Sequence, residues 1–324
     1  MKVLVCGGAG YIGSHMVRCL HSYRHEAIVY DNLSTGHREA VANAPLIVGD
    51  IRDANTLRMT FGEHRFDAVI HLCAHSLVGE SMAKPYEYYQ NNVSGTLCLL
   101  NAMHEARVDK LVFSSTAAVF GSPNAPLIDE EHAASPINPY GASKWMVERI
   151  LADAAPAYGL RSVSLRYFNA AGADPSGEIG ESHDPETHLI PNILRSVLGH
   201  GASLKVFGDD YPTKDGTCVR DYVHVNDLAQ AHLNAIGFLD NHAGAHCFNL
   251  GSSSGFSVME VIEAARRVTG TEIAFERAAR RAGDPPVLVA SNAKARAHLG
   301  WTPAMTNIDD IIRSAWRWHC QARY

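Results

Sequence analysis

The stretch Lys2–Cys6, KVLVC, runs straight into Gly7, Gly8, Gly10 and Gly13 and then into an amphipathic segment that opens at Tyr11. A short apolar strand, a glycine turn and a helix in immediate succession admit few folds. The glycines satisfy both G-x-x-G-x-x-G and G-x-G-x-x-G. Without side chains the backbone at Gly7, Gly10 and Gly13 can turn tightly and approach a pyrophosphate, which then lies at the positive end of the helix. Asp31 lies eighteen positions beyond Gly13, at the end of the next apolar run. A carboxylate there accepts both hydroxyls of an adenine ribose and repels a 2'-phosphate, so NAD is expected rather than NADP. Asp50 ends the third run, in VGDIR, and suits the adenine end.

The same rhythm continues. EAIVYDN, APLIVGD, FDAVIHL, DKLVFSS and LRSVSLRYF are short apolar runs with helical stretches between several of them. Runs that are apolar throughout, rather than alternating, belong to strands covered on both faces, so an α/β fold with a Rossmann-like, doubly wound parallel sheet is expected. A helix is expected from Pro139 to about Tyr158, stopped by Gly159. Beyond Asn169 the chain changes character: AAGADPSGEIGESHDPETH is rich in glycine, proline and acid and reads as a long functional loop. Ser257 and Glu260 form a capping box for a helix that Gly270 closes. These features divide the chain into a nucleotide domain over residues 1–166, to which about 217–250 also contribute, and a smaller interwoven substrate domain over 167–324.

Composition narrows the partners. A net charge of -6 offers no basic field for nucleic acid or an anionic membrane. No apolar run reaches the roughly eighteen residues of a membrane span. The 7 cysteines are irregularly spaced, which points to a reducing, cytoplasmic setting rather than a disulfide framework. His71, Cys73 and His75 alternate in HLCAHS, but three soft ligands without a fourth do not make a metal site; the other histidines look scattered, and no metal is expected.

PYGASK places Tyr140 and Lys144 four positions apart, on one helix face. A free phenol titrates near pH ~10. A neighbouring ammonium, together with the positive ring of an oxidised nicotinamide, favours the phenolate and brings it into range as a base for carbinol oxidation. Thr116, in FSSTAAVFG, follows a strand and is placed to bridge the substrate oxygen to Tyr140.

With these motifs in view the chain resembles the extended short-chain dehydrogenase/reductase family, and within it most nearly the enzymes that interconvert UDP-galactose and UDP-glucose. The segments that carry the likeness are GGAGYIGSH, YDNLSTGH, GDIRD, VGESMAKPYEYYQNNVSGT, FSSTAAVFG, NPYGASK, LRYFNAAGA, DGTCVRDYVHV and RRAGDP, which together span essentially the whole chain. The resemblance implies a tightly held, recycled NAD, oxidation of the sugar at C4, rotation of the 4-keto sugar and reduction on its opposite face. It implies cofactor contacts at Tyr11, Ile12, Asp31, Asn32, Asp50, Ile51, Leu72 and Asn91, with Lys144 and Phe168 near the nicotinamide. Substrate contacts are implied at Asn169, Leu189, Val206, Phe207, Arg220, Arg281 and Asp284. The two arginines suit a diphosphate, because a planar guanidinium binds phosphate oxygens in pairs.

Neighbouring activities differ at identifiable positions. The related 4,6-dehydratases typically carry Asp-Glu after the threonine to move protons, whereas this chain has Ala117 and Ala118. A glucuronate decarboxylase would show a different acid-base neighbour, and a nonenzymatic NAD-binding regulator typically lacks the tyrosine or lysine. At Leu288 some members carry a tyrosine that closes the sugar pocket; leucine leaves more room and suggests tolerance of N-acetylated UDP-hexoses. A homodimer is implied by the family, through helices near 86–107 and 140–158 that carry Leu97, Leu100, Trp145, Met146 and Ile150.

Overall fold

The computed structural model describes residues 1–324 except 124, 126, 201, 202, 282 and 283. Ala282 and Gly283, within RRAGDP, therefore lie outside the described residues.

In the first half, β1 (Lys2–Cys6), α1 (Tyr11–Ser22), β2 (Glu26–Asp31), β3 (Leu46–Val48), α2 (Ala54–Glu63) and β4 (Ala68–His71) follow one another. Then come α3 (Val78–Ala83), α4 (Pro85–Tyr89), α5 (Gly95–Glu105), β5 (Lys110–Thr116), α6 (Pro139–Tyr158) and β6 (Arg161–Tyr167). The segment expected as a helix near 86–107 is helical over Pro85–Glu105, widened by one π-helical turn at Gln90–Ser94 that carries Asn91 and Asn92. The second half supplies β7 (Asn169–Ala171), α7 (Leu189–Val197), β8 (Lys205–Phe207), β9 (Val219–Arg220), β10 (Tyr222–His224), α8 (Val225–Phe238) and β11 (Ala245–Leu250). It ends with β12 (Phe256–Ser257), α9 (Val258–Thr269), β13 (Glu276–Ala278), β14 (Val287–Leu288), α10 (Ala293–Leu299) and α11 (Ile308–Cys320).

Seven strands form one sheet in the order β11-β6-β5-β4-β1-β2-β3, and all pairs are parallel. The alternation of side chains along each strand explains the apolar runs. Val3 and Val5 join Val29 and residues of α1 and α8 on one face, while Leu4 joins Ile28, Val69, Leu111, Leu99 and Val147 on the other. Each such fully buried side chain stabilises the fold by roughly 1.5–3 kcal/mol over leaving it in water. Successive strands run outward from β1 in one direction and from β4 in the other. The carboxyl ends of β1 and β4 therefore flank a crevice, the place where open α/β sheets bind ligands.

A third core joins α7, α9 and α11. Short pairings tie the second half together: β7 with β10, β8 with β13, and β9 with β12 and β14. The capping box at Ser257 and Glu260 is present, and Gly270 closes α9 in the left-handed conformation. All of these strands have two or three residues, too short for any periodicity to mark them in the sequence.

Candidate active site

The glycine loop divides its labour in a way the sequence pattern alone does not. Gly7 has φ +82, and a Cβ there would lie 2.6 Å from the Cys73 amide nitrogen, so the turn after β1 presses on the chain leaving β4. A Cβ on Gly13 would lie 2.0 Å from the Gly7 carbonyl oxygen, so glycine there is required by packing within the protein. Gly10 is different: its Cβ would meet only the Gly7 oxygen, at 3.4 Å. Its backbone is ordinary for any residue, with φ -78, and it precedes α1 with no side chain capping the helix. The protein itself does not need glycine at position 10, but a phosphate approaching the bare amides of α1 does. These residues fit a dinucleotide.

Asp31 fastens this loop to the end of β2. One carboxylate oxygen accepts from the Ala9 N–H at 2.9 Å and the other from the Leu33 N–H at 2.8 Å. Burial pushes its pKa up, and the two amides hold it back. Each oxygen keeps a second lone pair for a ribose hydroxyl. Asn32 donates to Asp50 at 3.0 Å, and Asp50 also receives the Arg52 guanidinium, which holds it well below the usual carboxylate range. Ile51 is buried beneath this pair. Tyr11 opens α1 and donates to the Gly172 carbonyl at 2.6 Å, with Ile12 beside it on the core. Leu72 directly follows β4, where a Cβ on Gly7 would touch it. Asn91 is buried and donates to Asn92, whose amide holds the His75 carbonyl at 3.0 Å and the Ser143 hydroxyl at 2.9 Å.

The reacting centre lies between β5 and α6. Thr116 ends β5, and its hydroxyl accepts from the Ala118 N–H at 3.1 Å. Asn138 caps α6 by accepting from the Gly141 N–H at 2.8 Å, which fixes the first turn with Pro139 and Tyr140. A Cβ on Gly141 would lie 2.4 Å from the Ala118 carbonyl, so this turn sits directly against the one after Thr116. This sets the Thr116 side chain beside the Tyr140 phenol, where it favours the phenolate.

Lys144 is 2% exposed, stands over the Phe113 ring at 4.7 Å and donates to the Ser114 carbonyl at 2.7 Å. Burial lowers its pKa to about 8, opposed by the charges of Cys73 and Glu148. One more turn along the same face, Glu148 accepts from the Ser115 hydroxyl and forms a buried ion pair with Arg166 at 2.5 Å. The Arg166 guanidinium lies over the rings of Phe120 and Trp145. Sequence reasoning missed Glu148, although its i+4 spacing from Lys144 was the available signal. The expected easing of Tyr140 toward phenolate is not supplied by these side chains alone: burial pushes the phenol above its ordinary value, with Thr116 pulling the other way.

His71, Cys73 and His75 do not line one strand face, because β4 ends at His71. His71 Nε2 lies 2.8 Å from the Thr96 hydroxyl, Cys73 Sγ lies 3.4 Å from His71 Nδ1, and the His75 ring packs on Tyr88.

On the opposite wall, Arg220 and Asp284 form an ion pair, and Arg281 lies over the Phe207 ring at 4.1 Å. Asn169 donates to the Asp221 carbonyl at 2.7 Å. Leu189 opens α7 and packs on the third core, and Val206 is buried in it, leaving only its backbone to meet a ligand. Leu288 faces Arg220 in the β14–β9 pairing and packs with Phe168 against Val119, Phe120 and Ile128, next to Thr116. The structure thus sets the turn carrying Tyr140 and Lys144 against the end of β5 at Thr116, places Phe168 and Leu288 on the Val119, Phe120 and Ile128 cluster that follows it, and pairs Arg220 with Asp284 and Arg281 with Phe207.

A dinucleotide loop joined to a Thr–Tyr–Lys group at the carboxyl edge of one parallel sheet defines an NAD-dependent short-chain dehydrogenase/reductase-type site. Residues 3–251 match the model of the NAD dependent epimerase/dehydratase family, and the chain belongs to that family. It is 53% identical over 322 residues to a UDP-glucose 4-epimerase of Streptococcus mutans, covering 98% of this chain and 97% of the relative. The crystal structure of a UDP-glucose 4-epimerase of Bifidobacterium longum in complex with NAD+ and UDP is 38% identical, covers 99% of both chains and superposes with a TM-score of 0.95. A UDP-Glc/GlcNAc 4-epimerase of Campylobacter jejuni is 41% identical over 99% of both chains, with a TM-score of 0.87.

Proposed function

We propose that this protein interconverts UDP-galactose and UDP-glucose by reversible oxidation at sugar C4, with NAD held throughout the cycle. The observation that carries the reading is the packing of the first turn of α6, with Tyr140 and Lys144, against the end of β5 at Thr116, on the edge of the sheet whose first turn is the glycine loop. When bound, the dinucleotide supplies a reversible hydride acceptor at the reacting carbon. Tyr140 removes the C4 hydroxyl proton and later restores it, and Thr116 aligns that hydroxyl. Lys144 presents its ammonium to the ribose and stabilises the phenolate. The glycine loop, Asp31, Asn32, Asp50, Ile51, Leu72 and Asn91 hold the dinucleotide firmly, while Arg220, Arg281 and Asp284 hold the UDP and leave the hexose free to turn. A dehydratase is not favoured, since Ala117 and Ala118 have no proton to move.

The same reading extends to finer points. Residues 1–166 with 217–250 form the NAD-binding part and most of 167–324 the UDP-sugar part; β11 in the main sheet supports this. Leu288 admits N-acetylated UDP-hexoses, as the Campylobacter relative's name describes for that enzyme. Two copies pair through α5 and α6, where Leu97 and Met146 are 42% and 45% exposed. The protein works in the cytoplasm, in keeping with seven free cysteines. No described helix is long and apolar enough to cross a membrane. Incubation with UDP-galactose and no added NAD should yield UDP-glucose without net NADH. Release of a dehydrated 4-keto-6-deoxy product, or no conversion by NAD-loaded protein, would overturn the reading.

A further inference from the structure

The segment GESHDPETH, between β7 and α7, brings together four side chains that the proposed chemistry does not use. Glu181, His183, Glu186 and His188 each offer one ligand atom, and these atoms all lie within 4.8 Å of one another. His183 Nδ1 is 3.3 Å from a Glu181 oxygen and 3.7 Å from a Glu186 oxygen, and His188 Nδ1 meets the same Glu181 oxygen. Two imidazoles and two carboxylates around a tetrahedral ion with bonds of about 2.0–2.1 Å would stand roughly 3.3 Å apart. The two His183–carboxylate distances are already close to that spacing.

The surroundings favour an ion. The carboxylate side chains of Glu181 and Glu186 are only 4% and 2% exposed, so two negative charges are held away from water within one small group. The imidazoles of His183 and His188, both with pKa values raised beside these carboxylates, balance that charge when protonated, and a divalent cation would replace their protons with one centre. The other Glu186 oxygen accepts from the His188 N–H at 2.8 Å and the Thr187 N–H at 2.7 Å, which fixes this carboxylate as an outer support fixes a ligand. Glu181 is held through its carbonyl by Trp318 Nε1 at 2.9 Å. Gly180, whose Cβ would lie 2.3 Å from Trp318, presses the loop onto α11. His319 on the same helix keeps a buried Nε2 with no partner. His188 is half exposed and leaves an entry path.

We infer that Glu181, His183, Glu186 and His188 form a structural site for a divalent transition metal of the zinc class. The mixed nitrogen and oxygen ligands suit zinc, cobalt or nickel rather than magnesium or calcium. The ion would pin this loop between α11 and the start of α1, where the Tyr11 ring meets the His183 ring edge-on at 6.4 Å.

The test uses the full-length protein, stripped with a chelator and dialysed. Wild type should regain about one equivalent of Zn2+ or Co2+, show the strong visible bands of four-coordinate Co2+, and melt about 4 °C or more higher when loaded. His183→Gln/His188→Gln, and separately Glu186→Gln, should lose the bands and the thermal shift. Their circular dichroism and bound NAD report whether they still fold. The inference is overturned if stripped wild type binds no more metal than the double variant, or if it prefers Mg2+ or Ca2+ to Zn2+. The wild-type titration decides this even when a variant does not fold.

Discussion

The Lys144 ammonium donates to the Ser114 carbonyl at 2.7 Å, so the charge beside Tyr140 is anchored to the strand that ends in Thr116. The lysine is thereby fixed at the end of β5, two residues before Thr116. Its burial costs stability while it is charged, and that cost yields the first prediction.

Lys144 has a pKa lowered from 10.5 to about 8 in the folded protein. Below the folded value both states hold the proton, and the burial penalty is in force. Between about 8 and 10.5 the unfolded chain binds more protons, so this group makes stability rise with pH. Denaturant titrations from pH 7 to 10 should show wild type gaining, relative to Lys144→Met, up to roughly 3 kcal/mol. Parallel curves for the two proteins would contradict the assignment.

Tyr140→Phe should keep its fold and its NAD yet lose about 10³-fold in turnover, because the proton has no other acceptor in place. Thr116→Val should lose less, about 10- to 100-fold. Purified variants assayed with UDP-galactose give both numbers, and a fully active Tyr140→Phe would remove the tyrosine from its role.

The Glu148–Arg166 pair is buried at 7% and 5% side-chain exposure. Glu148→Leu strands the guanidinium under Phe120 and Trp145 and should cost about 3–5 kcal/mol. Glu148→Leu/Arg166→Met removes both charges and should recover most of it. A double variant no more stable than the single would mean that the pair's packing, not its charge, is what matters.

Gly10→Ala and Gly13→Ala should separate binding from folding. Alanine at 13 collides with the Gly7 carbonyl and should destabilise the protein by about 2 kcal/mol or more even without NAD. Alanine at 10 meets nothing closer than 3.4 Å, so melting of the stripped protein should be unchanged while NAD affinity falls at least about tenfold. Equal melting losses for both would refute this division.

At Leu288, tyrosine should reduce turnover of UDP-N-acetylglucosamine far more than that of UDP-galactose, by about tenfold in the ratio of kcat/KM. An unchanged ratio would place the selectivity elsewhere.

Legibility in the sequence followed the length scale of each signal. Six of the seven strands of the parallel sheet could be read because their apolar runs cannot be solvated on either face, and α6 because Pro139 and Gly159 mark its ends; β11, AHCFNL, shows no such run, and the Asn138 cap emerged only from the structure. The glycine loop and the Tyr140–Lys144 spacing were local for the same reason: a turn and a helical repeat are fixed by neighbours in the chain. What the chain order could not express is contact between distant segments. Ser114 holding Lys144, Arg166 neutralising Glu148, and Leu288 and Phe168 packing on one apolar cluster depend on β5, β6 and β14 arriving together. The histidines of the loop before α7 looked scattered as letters, although Glu-x-His-x-x-Glu-x-His was there to be read; only the fold of that loop against α11 brings the four side chains within 4.8 Å. Local sterics and hydrophobic burial are written residue by residue, whereas charge balance is settled only where the folded backbone excludes water.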